Sequence, residues 1–321
     1  MSWTGWLEQP PSPRAYVGLV GAALALLVVA LAVAMRPADS IAGSDVTVYA
    51  TYGTKMLDGA VPYRDFAMEY PPGATVMFVL PATRAVAGGS TDDPSWTPLN
   101  AAGRHYSRGF ESLVILLMAA MVVLTALTLA VVALSPLLIG RVLPERFDVW
   151  PAALTGAALA AFVRERYRLG GAMLGLGAAA KIYPAVLLPV LVIVAVRRRS
   201  VREGVFVAAS SVAAFGAVLV PFAIASLSGT WRSLRIQFTG GLQIESLASS
   251  LLVIASHVAD KASDFTTHGA GGGLIRTNLA GPGVRVTTIV VDVLLPAVLC
   301  LLWVRLARSK RDTREDLLRY A

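Results

Sequence analysis

Long apolar stretches alternate with short polar ones along most of this chain, and the alternation predicts helices that cross a bilayer. Ala15 to Met35 runs uninterrupted between Arg14 and Arg36, and about 20 apolar residues suffice to span the hydrocarbon core. Gly204 to Leu227 and Arg285 to Leu306 read the same way, the second with a lone Asp292. That acid is expected to pair inside a bundle or to face a cavity. Ser112 to Gly140 carries no charge. It is long for one untilted helix and short for two spans, so it forms either one tilted helix or a tight hairpin, with a break at Ser135-Pro136. Residues 169 to 196 are apolar except for Lys181, and both flanks are basic. Flanks on one side require the segment to go out and return, with the turn at Pro184 and Lys181 at the far face. Helices broken in this way need protein or a wet cavity to satisfy the freed backbone groups, which predicts a cavity near Lys181. Ala74 to Ala82 and Pro151 to Val163 are too short to cross alone, and the first reads as a re-entrant or interfacial helix continuing toward Ala87.

The polar stretches are organised as well. Residues 43 to 73 hold six charged residues and four tyrosines. Ser44 is a suitable N-cap and Gly59 a suitable stop, and between them Asp45, Tyr49, Tyr52 and Met56 share one helical face. Pro62, Pro71 and Pro72 then impose an extended segment. Gly88 to Arg104 reads as loop. Ser228 to Pro282 forms a second polar loop, carrying Arg232, Arg235, Gln237, Gln243 and Glu245 and ending in a glycine-rich tail (268–273) that is flexible by composition. Basic clusters at 164–168, 197–203 and 305–316 mark the cytoplasmic side by the positive-inside bias. Span parity then puts 36–106 and 228–284 together on the outer side. The fold class that follows is an all-α membrane protein. It is a polytopic bundle with short broken helices and two polar extracytoplasmic loops, with 1–14 as a leader and 15–321 as one transmembrane domain.

Composition agrees. The chain has 321 residues, 56% of them hydrophobic, and a mean hydropathy of +0.65, outside the range of soluble globular domains. The net charge of +8 would suggest nucleic acid in a soluble protein. Here the basic residues sit between apolar runs, so topology explains them and no nucleic-acid partner is expected. Cys300 is the one cysteine and His105, His257 and His268 are the only histidines; their spacing suggests neither a disulfide nor a metal, and no phosphate loop or dinucleotide fingerprint is present. No cofactor is expected. With only Arg14 before the first apolar run and no cleavage pattern, that run reads as a retained anchor.

On residue types alone, the segment after the first span is either an interfacial anchor, which suits its tyrosines, or the wall of an active site. Asp45 can be a helix cap or an acid poised at the membrane face, where the helix dipole favours its anionic form. Asp65 can pair with Arg64, and Glu69 is held by the constrained Tyr70-Pro71-Pro72. Lys181 either snorkels to the interface or meets an anion there. Arg146 can pair with Glu145 or Asp148.

The run SDVTVYATYGTKMLDGAVPYRDFAMEYPPGA, with RFD (146–148), KIYPAVLLP (181–189) and LQIESLASSLL (242–252), resembles integral-membrane glycosyltransferases of the C-type fold. It is most similar to the family-87 type, the actinobacterial polyprenyl-phosphate-mannose-dependent mannosyltransferases and their relatives. The resemblance extends from about residue 15 to 260. It implies a plasma-membrane enzyme with an external active site. A sugar, mannose in the resembled enzymes, passes from a polyprenyl-phosphate donor to a glycan or glycolipid acceptor with inversion. The resemblance makes Asp45 the general base, and Glu69, held by the constrained backbone that follows it, is the second catalytic candidate. A lipid-phosphate donor calls for cations at the membrane face, and Lys181, Arg146, Arg235 and Arg64 are the candidates. Gln243 and Glu245 match the second-loop motif and can hold sugar hydroxyls; Tyr49, Tyr63, Asp65 and Tyr183 complete the substrate-binding set. Members of the family usually continue with further apolar spans beyond the point where this chain ends, so a truncated or divergent member is expected. Two rival readings are a lipid flippase or transporter, which would show repeated halves, and a non-catalytic membrane subunit, which would need no base.

Overall fold

The structure is a computed structural model that describes residues 13–34, 45–87, 101–124, 129–239, 241–243, 246–258, 266–269 and 277–309. It is an all-α membrane protein. The described residues form twelve α-helices, three short 3-10 turns and one small β-hairpin. The helices are α1 (Pro13–Ala34), α2 (Val46–Leu57), α3 (Thr75–Ala87), α4 (Ala101–Leu124), α5 (Leu129–Ile139), α6 (Val149–Val163), α7 (Tyr167–Ala180), α8 (Leu188–Arg198), α9 (Val201–Ala225), α10 (Leu227–Thr239), α11 (Leu247–Val258) and α12 (Val284–Arg308). Windows within α1, α4, α9 and α12 are long and apolar enough to cross a bilayer, at Tyr16–Val33, Gly103–Val123, Val201–Ala225 and Val284–Arg308.

The uncharged stretch is divided between α4 and α5, which pack against each other, and residues 125–128 lie outside the described residues. α4 begins earlier than its apolar boundary suggests, at Ala101, so Arg104, Arg108 and Glu111 belong to the helix and the loop expected from Gly88 ends sooner. The Ser135-Pro136 break does not occur, and Pro136 lies inside α5. Proline cannot bond the carbonyl four residues back, but the Ser135 hydroxyl donates to that carbonyl, Val132 O, at 2.8 Å. With the freed acceptor satisfied, the helix continues.

Residues 167 to 198 go out and return, as their flanks require. α7 stops at Ala180, Lys181 is extended (φ −154°, ψ 139°), and the 3-10 turn Tyr183–Leu187 leads into α8. The turn between α6 and α7 and the turn between α8 and α9 lie at one end of the bundle. There Arg199 pairs with Glu165, Arg168 pairs with Glu203 at 3.2 Å, and the Arg197 guanidinium donates to Leu306 O at 3.1 Å. The described parts of the basic clusters therefore gather at a single end, and 310–316 lie outside the described residues. Close approach of α7 to α9 depends on Gly171 and Gly175, since a Cβ at Gly175 would lie 2.1 Å from Ser211 O. Small residues four apart permit this kind of contact between membrane helices.

The second polar region holds regular structure among its described residues. It contains α10, α11 and a two-stranded antiparallel sheet, β1 (Thr266–Gly269) with β2 (Thr277–Ala280). His268 and Gly269, at the start of the glycine-rich tail, pair there with Asn278 and Thr277, and 270–273 lie outside the described residues. α12 is largely exposed, and Asp292 lies on its exposed surface, not inside a bundle. A lone polar residue in an apolar run shows nothing of which face its neighbours cover, so the pattern alone does not place this acid.

Candidate functional site

The end of the bundle opposite the basic clusters collects two acids and two cations. Asp45 occupies the N-cap position of α2, yet its side chain makes no capping hydrogen bond. Its carboxylate pairs with the Arg146 guanidinium, and the Tyr49 hydroxyl donates to it at 3.3 Å. Asp148 repeats the arrangement at α6: it holds the N-cap position, caps nothing, and pairs with the Lys181 ammonium. The tripeptide Arg146-Phe147-Asp148 thus contributes one partner to each ion pair. Between them Phe147 is buried edge-on against Tyr49, Tyr70 and Phe78, with ring centroids 5.9, 4.8 and 5.8 Å away. The Lys181 ammonium lies 5.3 Å from the Phe147 ring centroid, within cation–π range.

Local structure explains how three separate parts of the chain meet. Gly59, at φ +88°, ends α2. The Gly59 and Ala60 amides reach back to Met56 O (3.2 Å) and Lys55 O (2.9 Å), the paired closure of a Schellman motif. The extended segment then folds under α2, with Tyr63 donating to Tyr70 O at 2.6 Å. At its end Gly73 presses on the last turn of α7, where an added Cβ would come within 2.6 Å of the Ala179 and Ala180 backbone. Trp150, in the first turn of α6, donates its indole hydrogen to Gly73 O at 3.1 Å. One glycine therefore ties the first loop, the start of α6 and the end of α7 together. Lys181 follows directly, where a helix C-terminus favours a cation.

The four charges differ in access. Side-chain exposure is 11% for Asp45, 30% for Arg146, 34% for Lys181 and 41% for Asp148. A small anion can reach both cations, while Asp45 is partly shielded. Burial holds the Tyr49 hydroxyl well above the usual tyrosine range, with Tyr70, Asp45 and Asp148 adding to it. Tyr49 is therefore a neutral donor to Asp45 at any physiological pH. Tyr183 is pushed up to about 12 by burial and by the charge of Asp148.

The remaining candidates are placed as follows. Glu69 is buried behind the tyrosines, and Gln237 donates to its backbone carbonyl at 2.9 Å. Its charge adds to the burial that pushes Tyr52 up to about 12. Tyr63 is buried, at φ +70°, with its ring edge-on to Phe222. Arg64 and Asp65 form a bidentate pair with each other at 2.9 and 2.8 Å. Arg235 lies exposed on α10. Gln243 accepts at its backbone carbonyl from the Ser249 hydroxyl at 2.6 Å, and Glu245 lies outside the described residues. Asp148 is a site member absent from the candidates named from sequence, although the RFD motif contains it; it pairs with Lys181, and Arg146 pairs with Asp45 instead of Glu145 or Asp148. An apolar groove of about 490 Å³ opens at the opposite end of α2, lined by Met56, Pro62, Val76, Leu80 and Phe222 among others. The cavity expected at Lys181 is instead an open cluster of charges. Among the described residues no cluster of histidine, cysteine or acids suits a metal ion.

A family model described as "Glycosyltransferase family 87" covers residues 68–321. That region contains Glu69, Arg146, Asp148 and Lys181, and begins after Asp45. No curated protein and no solved structure matches the chain.

Proposed function

Because the chain belongs to glycosyltransferase family 87, we propose that it transfers a sugar, mannose, from a polyprenyl-phosphate donor to a glycan or glycolipid on the outer face of the plasma membrane. The observation that carries this reading is the meeting of Asp45, Arg146, Asp148 and Lys181 at the end of the bundle away from the basic clusters. Asp45 takes the proton from the acceptor hydroxyl as general base. The hydroxyl oxygen forms its bond to the anomeric carbon, and the bond from that carbon to the phosphate oxygen breaks on the opposite face. The electron pair leaves with the prenyl phosphate, so configuration inverts. Arg146 and Lys181 stabilise the charge that grows on the leaving phosphate. Tyr49 orients Asp45, and Tyr183 stands at the edge of the site beside Asp148. Glu69 is a second catalytic acid behind the same wall, Arg64, Asp65, Arg235 and Gln243 contribute to the substrate-facing surface with Tyr63 packed beneath it, and Glu245 belongs to the same substrate-binding set.

The test is transfer of labelled mannose from polyprenyl-phosphate mannose by the purified protein in proteoliposomes. Transfer to an α- or β-mannoside acceptor, with inverted configuration in the product, supports the reading. Transfer from a nucleotide sugar but not from the lipid-linked one would contradict it.

A further inference from the structure

Arg146 and Lys181 each arrive with an acid attached, Asp45 on the first and Asp148 on the second. Neither acid is spent on starting its helix, since neither side chain makes a capping bond. Both pairs flank the buried Phe147 ring, and both acids act on the same Tyr49 hydroxyl. Both cations are about one-third exposed, so an incoming anion reaches them from the surface. It competes for them with the carboxylates already there. A phosphate group is well suited to that competition, because its several acceptor oxygens can take a guanidinium fork and an ammonium together.

We propose that Asp45 and Asp148 are the resident anions of a phosphate site, holding Arg146 and Lys181 until the donor's phosphate replaces them, and that this exchange frees Asp45 to act as base. The inference rests on the reading of the donor as a prenyl phosphate. While Arg146 holds Asp45, the lone pairs that would receive the acceptor's proton are engaged in a charge-assisted pair. Once the phosphate takes Arg146, those lone pairs turn to the acceptor hydroxyl. Donor binding thereby switches on the base, and Asp148 is a positioning residue that acts through Lys181.

The experiment is binding of farnesyl phosphate to the full chain in nanodiscs, with farnesol and inorganic phosphate as separate arms. Wild type should bind farnesyl phosphate in preference to either. D148N and D45N should each tighten farnesyl phosphate about two- to fivefold, the scale of a part-exposed ion pair removed from competition. D45N does so while losing transfer. The D148N gain should vanish in a K181M background, and D148E should bind as wild type does. Acids that merely prop up the cations would give the opposite sign, so unchanged or weakened binding in the folded asparagine variants overturns the proposal. The two variants are independent, and a folding failure of one leaves the other to decide. If wild type binds farnesyl phosphate no better than farnesol, the donor reading fails and the exchange with it. If wild type shows Lys181-dependent phosphate binding and neither asparagine variant tightens, only the exchange fails.

Discussion

At the scale of single residues, Lys181 separates a phosphate contact from a lysine that only snorkels. Its ammonium has an acid partner and an aromatic face but stays one-third exposed, so a ligand can still take it. Lys181→Met should weaken prenyl-phosphate binding about tenfold, the scale of one charge-assisted contact, and Lys181→Arg should keep part of it; titration with a fluorescent prenyl phosphate reads both. Asp65 offers a pH test with a definite sign. Its bond from Arg64 comes first and the Val61 amide second among the causes that lower its carboxyl to about 2. An unfolded aspartate titrates near 3.9. The folded-state contribution is therefore complete above about pH 4 and is lost as the pH falls toward about 2. Melting curves of wild type and Asp65→Asn should differ slightly at pH 6 and converge near pH 2. A difference that grew on acidification would reverse the sign. Lys181 could be singled out from sequence because it is a charge where the apolar pattern has no place for one, and Asp45 because it heads the polar stretch that carries the family resemblance. Asp148 could not, because its partner is 33 residues away in sequence and the neighbouring Arg146 reads as its partner instead.

At the scale of elements, the bundle depends on glycines whose hydrogens touch a neighbouring backbone. In α7, Gly175 faces Ser211 O of α9, whereas Gly216 in α9 has no atom within 4 Å of its would-be Cβ. Gly175→Ala should destabilise by about 1–3 kcal/mol through overpacking, and Gly216→Ala should be neutral or slightly stabilising from helix propensity. Thermal unfolding in detergent distinguishes them, and equal effects would mean that the α7–α9 contact is loose. Gly73→Ala should act differently, because that glycine sits against the turn before Lys181: transfer should fall more than stability does. The spans of α1, α9 and α12 and the return at Lys181 were legible because length and charge flanks decide them. The α4–α5 boundary was not. Pro136 looked like a break, and only the placement of the Ser135 hydroxyl explains why the helix survives it. The α10–α11 region hid its helices for a related reason, since short amphipathic helices on a surface show no long apolar run.

At the scale of the whole molecule, the charges sort to two ends. Arg197, Arg199 and Glu165 mark one end with the last turn of α12, and Asp45, Arg146, Asp148 and Lys181 mark the other. Cysteines at positions 58 and 285 in a Cys300→Ser background should react with a membrane-impermeant maleimide in intact cells, and a cysteine at 166 should react only after permeabilisation. Labelling of 166 in intact cells, or of only one of the other two, would contradict the arrangement. The sorting was visible in the sequence as clusters of arginine, but convergence of the three site segments was not, because it depends on Gly73 meeting both α7 and Trp150. The central claim is that Asp45 takes the acceptor's proton. The measurement that bears on it most directly compares mannose transfer by reconstituted wild type and Asp45→Asn, with fold and farnesyl-phosphate binding measured on the same samples. Turnover should fall by about two orders of magnitude or more, while the variant stays folded and binds farnesyl phosphate at least as tightly as wild type. Near-wild-type transfer by a folded Asp45→Asn protein would contradict the account.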